Sequence, residues 1–178
     1  LSLVSGSHWG VLCVYSDVVM RNCTITGNLI NGLNMRDGSL LAYGNRIVGN
    51  RRGLYLQRSR GDIRHNRLAD NSEHGIFLED STVELSMNLI SANGRSGVRW
   101  FNSEGRLAGN RISDNGVYAL INDGTTPVSA RNNWWGTDDV DLIGFAVRDD
   151  QDRPGVGSVD FRYPLASPLP GQYPLEQQ

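Results

Sequence analysis

NRIVGNRRGLYLQ at residues 45–57 returns as NRLADNSEHGIFL at 66–78 and as NLISANGRSGVRW at 88–100. The asparagine that opens each copy belongs to a column of five: Asn45, Asn66, Asn88, Asn110 and Asn133, at spacings of 21, 22, 22 and 23 residues. Two positions after each stands an apolar residue: Ile47, Leu68, Ile90, Ile112, Trp135. A second asparagine follows the first four by five residues, at Asn50, Asn71, Asn93 and Asn115. A period of this length and regularity is the mark of a stack of equivalent coils.

Superposing the coils assigns each position a side. A glycine column, Gly10, Gly32, Gly53, Gly75 and Gly97 with Ala119 sixth, is followed by the apolar column Val11, Leu33, Leu54, Ile76, Val98, Leu120. Two residues later comes Cys13, Met35, Leu56, Leu78, Trp100, Asn122. Alternation at period two makes this a strand with those two columns inward. A second strand precedes the asparagines, with inward pairs Val18/Met20, Leu40/Ala42, Val83/Leu85 and Val128/Ala130, and with Ile63 and Leu107 in the second inward place of the other coils. A third, short strand carries the apolar residue two past each asparagine. Three short strands in about 22 residues leave no room for hairpins. Each strand therefore pairs with its equivalent one coil above and below, roughly 4.8 Å away. The fold expected is an all-β, right-handed parallel β-helix of about six coils.

The asparagines have a structural task in that fold. A tight turn between strands leaves backbone groups pointing inward, away from water, and an amide side chain both donates and accepts. Stacked in register, Asn45, Asn66, Asn88, Asn110 and Asn133 form a ladder. Cys23 holds the same column one coil earlier and cannot make those bonds, so the ladder is expected to start at Asn45.

The coil length, the inward asparagine and the N-x-I-x-x-N-x-x-x-G-I rhythm resemble the right-handed parallel β-helix repeat proteins of the pectate-lyase-like superfamily, over about residues 10–135. That likeness implies the fold and an extracytoplasmic place, secreted, periplasmic or at the cell surface. It does not imply one activity, because the superfamily includes lyases, hydrolases, epimerases, adhesins and non-catalytic surface proteins.

The coils are expected over 1–136, a cap over 137–165 and a loose polar, proline-rich tail over 166–178. In the cap, Thr137, Asp138 and Asp139 open a short helix to about residue 147, with Val140, Ile143 and Val147 on one face. Trp134 and Trp135 are expected to lie across the end of the last coil, and GSVDFRYPL (157–165) to be extended. The segment NNWWG … VDF.YPL resembles the carboxyl-terminal closure of secreted bacterial β-helix proteins. LSLVSGSHWG (1–10) already reads as a coil in progress. Upstream coils of the same protein, or a partner chain, are therefore expected to cover the amino-terminal end.

Composition narrows the chemistry. All 17 basic residues are arginine, which excludes a lysine base or Schiff base, and the net charge of -2 shows no block suited to nucleic acid. No run of 18 apolar residues exists to span a membrane. Cys13 and Cys23 fall on different walls and are read as unbridged, packed thiols.

In the enzymes this fold resembles, the site lies on the outer face of the strand after the glycine. Here that face reads Asn34, Tyr55, Phe77, Arg99, Ile121 and, two residues on, Arg36, Gln57, Glu79, Phe101, Asp123. Tyr55, Phe77, Arg99, Glu79 and Phe101 are the candidate ligand-binding residues, with polysaccharide as the candidate partner, since aromatics beside Arg and Glu stack on and hydrogen-bond to sugar rings. Asp37, Arg58, Asp80 and Asn102 form a charged stack read as structural ion pairs. Asp62 and Glu84 stack on the second strand with Arg106 above. They are the candidates for a calcium ion or for an acid–nucleophile pair. His8, His65 and His74 share no column, and no Ser or Cys is expected in register with His65 or His74, so no catalytic triad is assigned. DDQDRPG (149–155) is read as a solvated turn. Inter-strand loops are short, and six coils span only roughly 29 Å. The leading reading is a non-catalytic extracytoplasmic scaffold or binding surface without a cofactor. The alternative is the carboxyl-terminal part of a polysaccharide lyase, hydrolase or epimerase whose catalytic coils lie upstream.

Overall fold

The structure, a computed structural model, describes residues 2–171; positions 172–178 of the expected tail lie outside the described residues. Within them the chain winds into six coils, each with one strand on three parallel sheets. Wall 1 holds six strands, from Ser2–Ser5 to Arg111–Ser113. Wall 2 holds seven, from Trp9–Val14 through Arg52–Gln57, His74–Glu79 and Ser96–Phe101 to Tyr118–Asn122 and Val147–Arg148. Wall 3 also holds seven, from Asp17–Arg21 to Val159–Asp160.

Pairing follows the coil period. Leu33 pairs with Leu54, Leu54 with Ile76, Ile76 with Val98 and Val98 with Leu120. The inward columns form one continuous buried core, including Ile25, Leu56, Ile63, Ile90 and Trp100. The first coil closes this core less completely, and Val4, Val11, Cys13, Val18 and Cys23 are only partly buried. Several of its exposed outward positions are apolar: Leu3, Trp9, Leu12, Val14 and Val19.

Each corner combines two devices. A residue in left-handed conformation turns the chain, and the residue after it supplies a side chain to an inter-coil ladder. Between walls 3 and 1, His65 and Met87 have φ of 53° and 55° and precede Asn66 and Asn88. Asn88 fills its whole side-chain capacity. Its Nδ2 donates to the Ile63 carbonyl (2.8 Å) and to Asn110 Oδ1 (3.0 Å), and its Oδ1 accepts from Asn66 N (3.0 Å) and Nδ2 (3.1 Å). The ladder starts at Asn45, as expected. The Cys23 backbone N–H donates to Asn45 Oδ1 at 2.9 Å, while Cys23 Sγ turns back to the Arg21 carbonyl.

The second asparagine series forms a ladder of its own between walls 1 and 2, and it starts a coil earlier, at Asn28. Between walls 2 and 3 the work falls to serines. The Ser59 N–H donates to Ser81 Oγ and the Ser81 N–H to Ser103 Oγ, both at 3.0 Å. All three corners thus satisfy backbone groups that water cannot reach. The glycine column follows from the second ladder. A Cβ on Gly97 would stand 2.8 Å from both the Ala119 carbonyl and Asn115 Nδ2.

The carboxyl-terminal segment extends the coils as well as covering them. Trp134 does not lie across the end. It continues wall 1 by bridging Arg111, with the Ile112 N–H donating to its carbonyl at 2.8 Å. Only Trp135 turns inward, buried beyond Ile112, because alternation leaves one of two consecutive residues outside. The helix runs Val140–Ala146, with Asp139 accepting from the N–H groups of Asp141 and Leu142. Ile143 is buried, but Val140 is exposed, because it opens the first turn, away from the face set against wall 2. Val147 belongs to the strand that follows.

Asp149, expected in a solvated turn, is buried. Its carboxylate accepts from the N–H groups of Gln151 (3.0 Å) and Val159 (2.8 Å), which ties the loop between the last strands of walls 2 and 3. The Leu165 N–H then covers the carbonyl of Asn133 at 3.0 Å, and Leu169, in the described part of the tail, is half-buried beside Gly109.

Candidate functional site on the outer face of wall 2

With the inward columns filled, chemistry is left to the outward ones, and wall 2 carries the most varied set. Strand register brings Tyr55, Phe77 and Arg99 into one file, and Gln57, Glu79 and Phe101 into the next. The rings of Tyr55 and Phe77 lie 5.2 Å apart at 48°. The guanidiniums of Arg52 and Arg99 stand 5.3 and 4.7 Å from the Phe77 centroid. The Tyr55 hydroxyl donates to one Glu79 oxygen at 2.6 Å, and Gln57 Nε2 donates to the other at 3.0 Å. Burial first, and then Glu79, push the Tyr55 phenol up to about 12. The structure thus gathers four of the five candidates, Tyr55, Phe77, Arg99 and Glu79, into one connected surface. Phe101 is the next rung above Glu79.

A third outward file adjoins these, just before the glycine column: Trp9, Asn31, Arg52, His74, Ser96, Tyr118. His74 and Ser96 in this file are one coil period apart. A serine is therefore in register with His74, contrary to expectation, and its Oγ lies 2.7 Å from His74 Nδ1. Ser96 is 0% exposed and His74 2%, so the hydroxyl holds the ring and is closed to a substrate. His74 Nε2 is buried and has no hydrogen-bond partner among the described residues. Burial, reinforced by Arg99, lowers the His74 pKa to about 4, which leaves a neutral ring at pH ~7.

Below His74, Glu73 is held by Arg51 and Arg52, each at 2.9 Å. Above it, Arg99 Nε donates to Asp123 at 2.9 Å. A cavity of about 160 Å³ opens there between His74, Arg95, Tyr118 and Arg148.

The carboxylates proposed for calcium sit elsewhere. Asp62 and Glu84 are neighbours on wall 3, but Asp62 is taken by Arg64, and Glu84 lies 3.5 Å from Arg106. Asp37 accepts from both Nε (2.7 Å) and Nη2 (2.9 Å) of Arg58, the structural pairing expected of the charged stack.

A family model described as periplasmic copper-binding protein (NosD) matches residues 2–145. The chain belongs to the NosD family. That places this NosD-family β-helix outside the cytoplasm and accords with the right-handed parallel coil read from the repeat. No helix among the described residues is long and apolar enough to cross a membrane. Among curated proteins and among solved structures, none matches the chain.

Proposed function

We propose that this chain is a non-catalytic periplasmic scaffold whose wall 2 presents a binding surface for glycans. One observation carries the reading: Tyr55 and Phe77 lie side by side on a rigid sheet with Arg52, Arg99, Gln57 and Glu79 around them. The rings offer faces to the apolar side of a sugar, and the surrounding groups match its hydroxyls. All of them are held by neighbours, so little side-chain freedom is lost on binding.

The family description raises copper. Copper sites draw on imidazole and soft sulfur ligands brought together by the fold. Here His8 is exposed on the first coil, His65 packs edge-on to Tyr43 at 5.1 Å, and His74 is clasped by Ser96 among arginines. Met20 and Met35 are core residues. No three His, Cys, Asp or Glu side chains converge among the described residues. Among the described residues these donors do not converge on a copper site. Calcium, which takes six to eight oxygens, finds only Arg-paired carboxylates at Asp62 and Glu84.

The test is a glycan array probed with the parent chain and with Tyr55→Ala/Phe77→Ala. The expected result is a defined set of bound glycans and a loss of about tenfold or more in the double variant. No binding by the parent, or unchanged binding by the variant, removes the proposal.

A further inference from the structure

The upper end of wall 2 holds more positive charge than its neighbours neutralise. Arg95 stands at the corner before Ser96, and Arg148 sits on the returning strand, paired with Ile121. Neither makes an ion pair among the described residues, whereas Arg51 and Arg52 one coil below share Glu73. The single carboxylate of the cavity, Asp123, is already held by Arg99 at 2.9 Å and Arg153 at 3.5 Å. Three guanidiniums, Arg95, Arg99 and Arg148, therefore line the cavity against one committed acid.

His74 supplies the second observation. It lines the same cavity, it is 2% exposed, and its Nε2 has no partner among the described residues. A neutral imidazole carries one proton. When Ser96 Oγ donates to Nδ1, that proton sits on Nε2 as an unused buried donor. An unsatisfied buried donor is costly, and a bound anion or an ordered water is what offsets that cost in a native fold. With the ring neutral and the Ser96 hydroxyl donating to Nδ1, the Nε2–H is a hydrogen-bond donor that adds no fourth charge.

We infer that His74, Arg95, Arg99 and Arg148 form a binding site for a small oxyanion, a carboxylate or phosphate group. Arginine matches such groups through two parallel N–H bonds. The cavity, about 160 Å³, admits roughly five times the ~30 Å³ that a water takes in the liquid. That suits the anionic group itself, with the rest of the molecule lying over Tyr118 and Ile121. The site shares Arg99 with the glycan surface proposed above but not Tyr55, Gln57 or Glu79, and it stands whether or not that surface binds sugar.

The experiment is a titration of the chain with inorganic phosphate and, separately, with galacturonate, following the His74 ring resonances by NMR. Sodium chloride at matched ionic strength is the control. Saturable shifts at His74 with either probe support the site, and which probe acts tells a phosphate source from a sugar carboxylate. Arg95→Gln and Arg148→Gln, both on the surface side of the cavity, should each weaken binding about tenfold. Tyr55→Ala, two rungs below Arg99 in the same file, should leave it unchanged. No saturable shift with either probe, or full affinity in both arginine variants, overturns the inference.

Discussion

The middle and the upper end of wall 2 are built on the same columns and differ in charge balance. In the middle, Glu73 occupies the corner above Arg51 and holds Arg51 and Arg52 together. One coil higher the corner residue is Arg95, and the rung above it is Val117, whose N–H bonds to the Arg95 carbonyl but whose side chain offers no charge. The first region is closed on itself, and the second is left with donors to spare. A solenoid repeats geometry faithfully, and its surface function is written in the few rungs where the side-chain chemistry stops alternating.

Both regions ride on one frame, and that shared support can be broken first. Asn71 lies beneath the Glu73 corner and Asn93 beneath the Arg95 corner, each bonded to the rungs above and below. Asn71→Leu and Asn93→Leu should each cost more than about 3 kcal/mol, since several buried partners lose their bonds at once. Chemical denaturation measures it, and a large inequality between the two would show that the regions rest on different supports. Gly97→Ala should follow at roughly 1–3 kcal/mol, because its methyl has no space under the Ala119 carbonyl.

His74 sharpens the contrast through pH. Its folded pKa, about 4, is below the ordinary 6.5, so the unfolded chain binds more protons between those values. The stability contributed by the neutral ring is full above pH 6.5 and is lost as pH falls towards about 4. The groups around it act in opposing directions: Arg99, Arg52 and Arg95 lower the pKa and Glu73 raises it. His74→Asn should flatten the pH dependence of the denaturation midpoint in that window. An unchanged slope would place the titration elsewhere. The smallest effect belongs to Glu73→Gln, which makes the middle resemble the upper end. Because the pair is partly exposed, it should cost no more than about 1 kcal/mol. It should also move the His74 midpoint further down, as an NMR titration can read.

Much of this is legible in the sequence. The asparagine period alone assigned Tyr55, Phe77 and Arg99 to one outward file and Asp62 and Glu84 to another wall. It also set the start of the first ladder at Asn45. Other features were visible but unread. Asn50, Asn71, Asn93 and Asn115 have the spacing of a second ladder, and Ser59, Ser81 and Ser103 that of a third. His74 and Ser96 are separated by one coil, which is all the signal their contact gives. Val140 and Trp134 were misplaced because helix start and strand alternation shift by one residue without changing composition.

Sequence by itself determined the coil, the walls and the register, because backbone hydrogen bonding at every corner demands the same residue type at the same interval. It could not determine the upper site. Arg148 reaches wall 2 only after the chain leaves the repeat, forms the helix Val140–Ala146 and returns beside Ile121. No period links Arg148 to Arg99 or His74. That neighbourhood comes from the packing of Ile143 and Val147 onto the last coil, a tertiary choice made by the core.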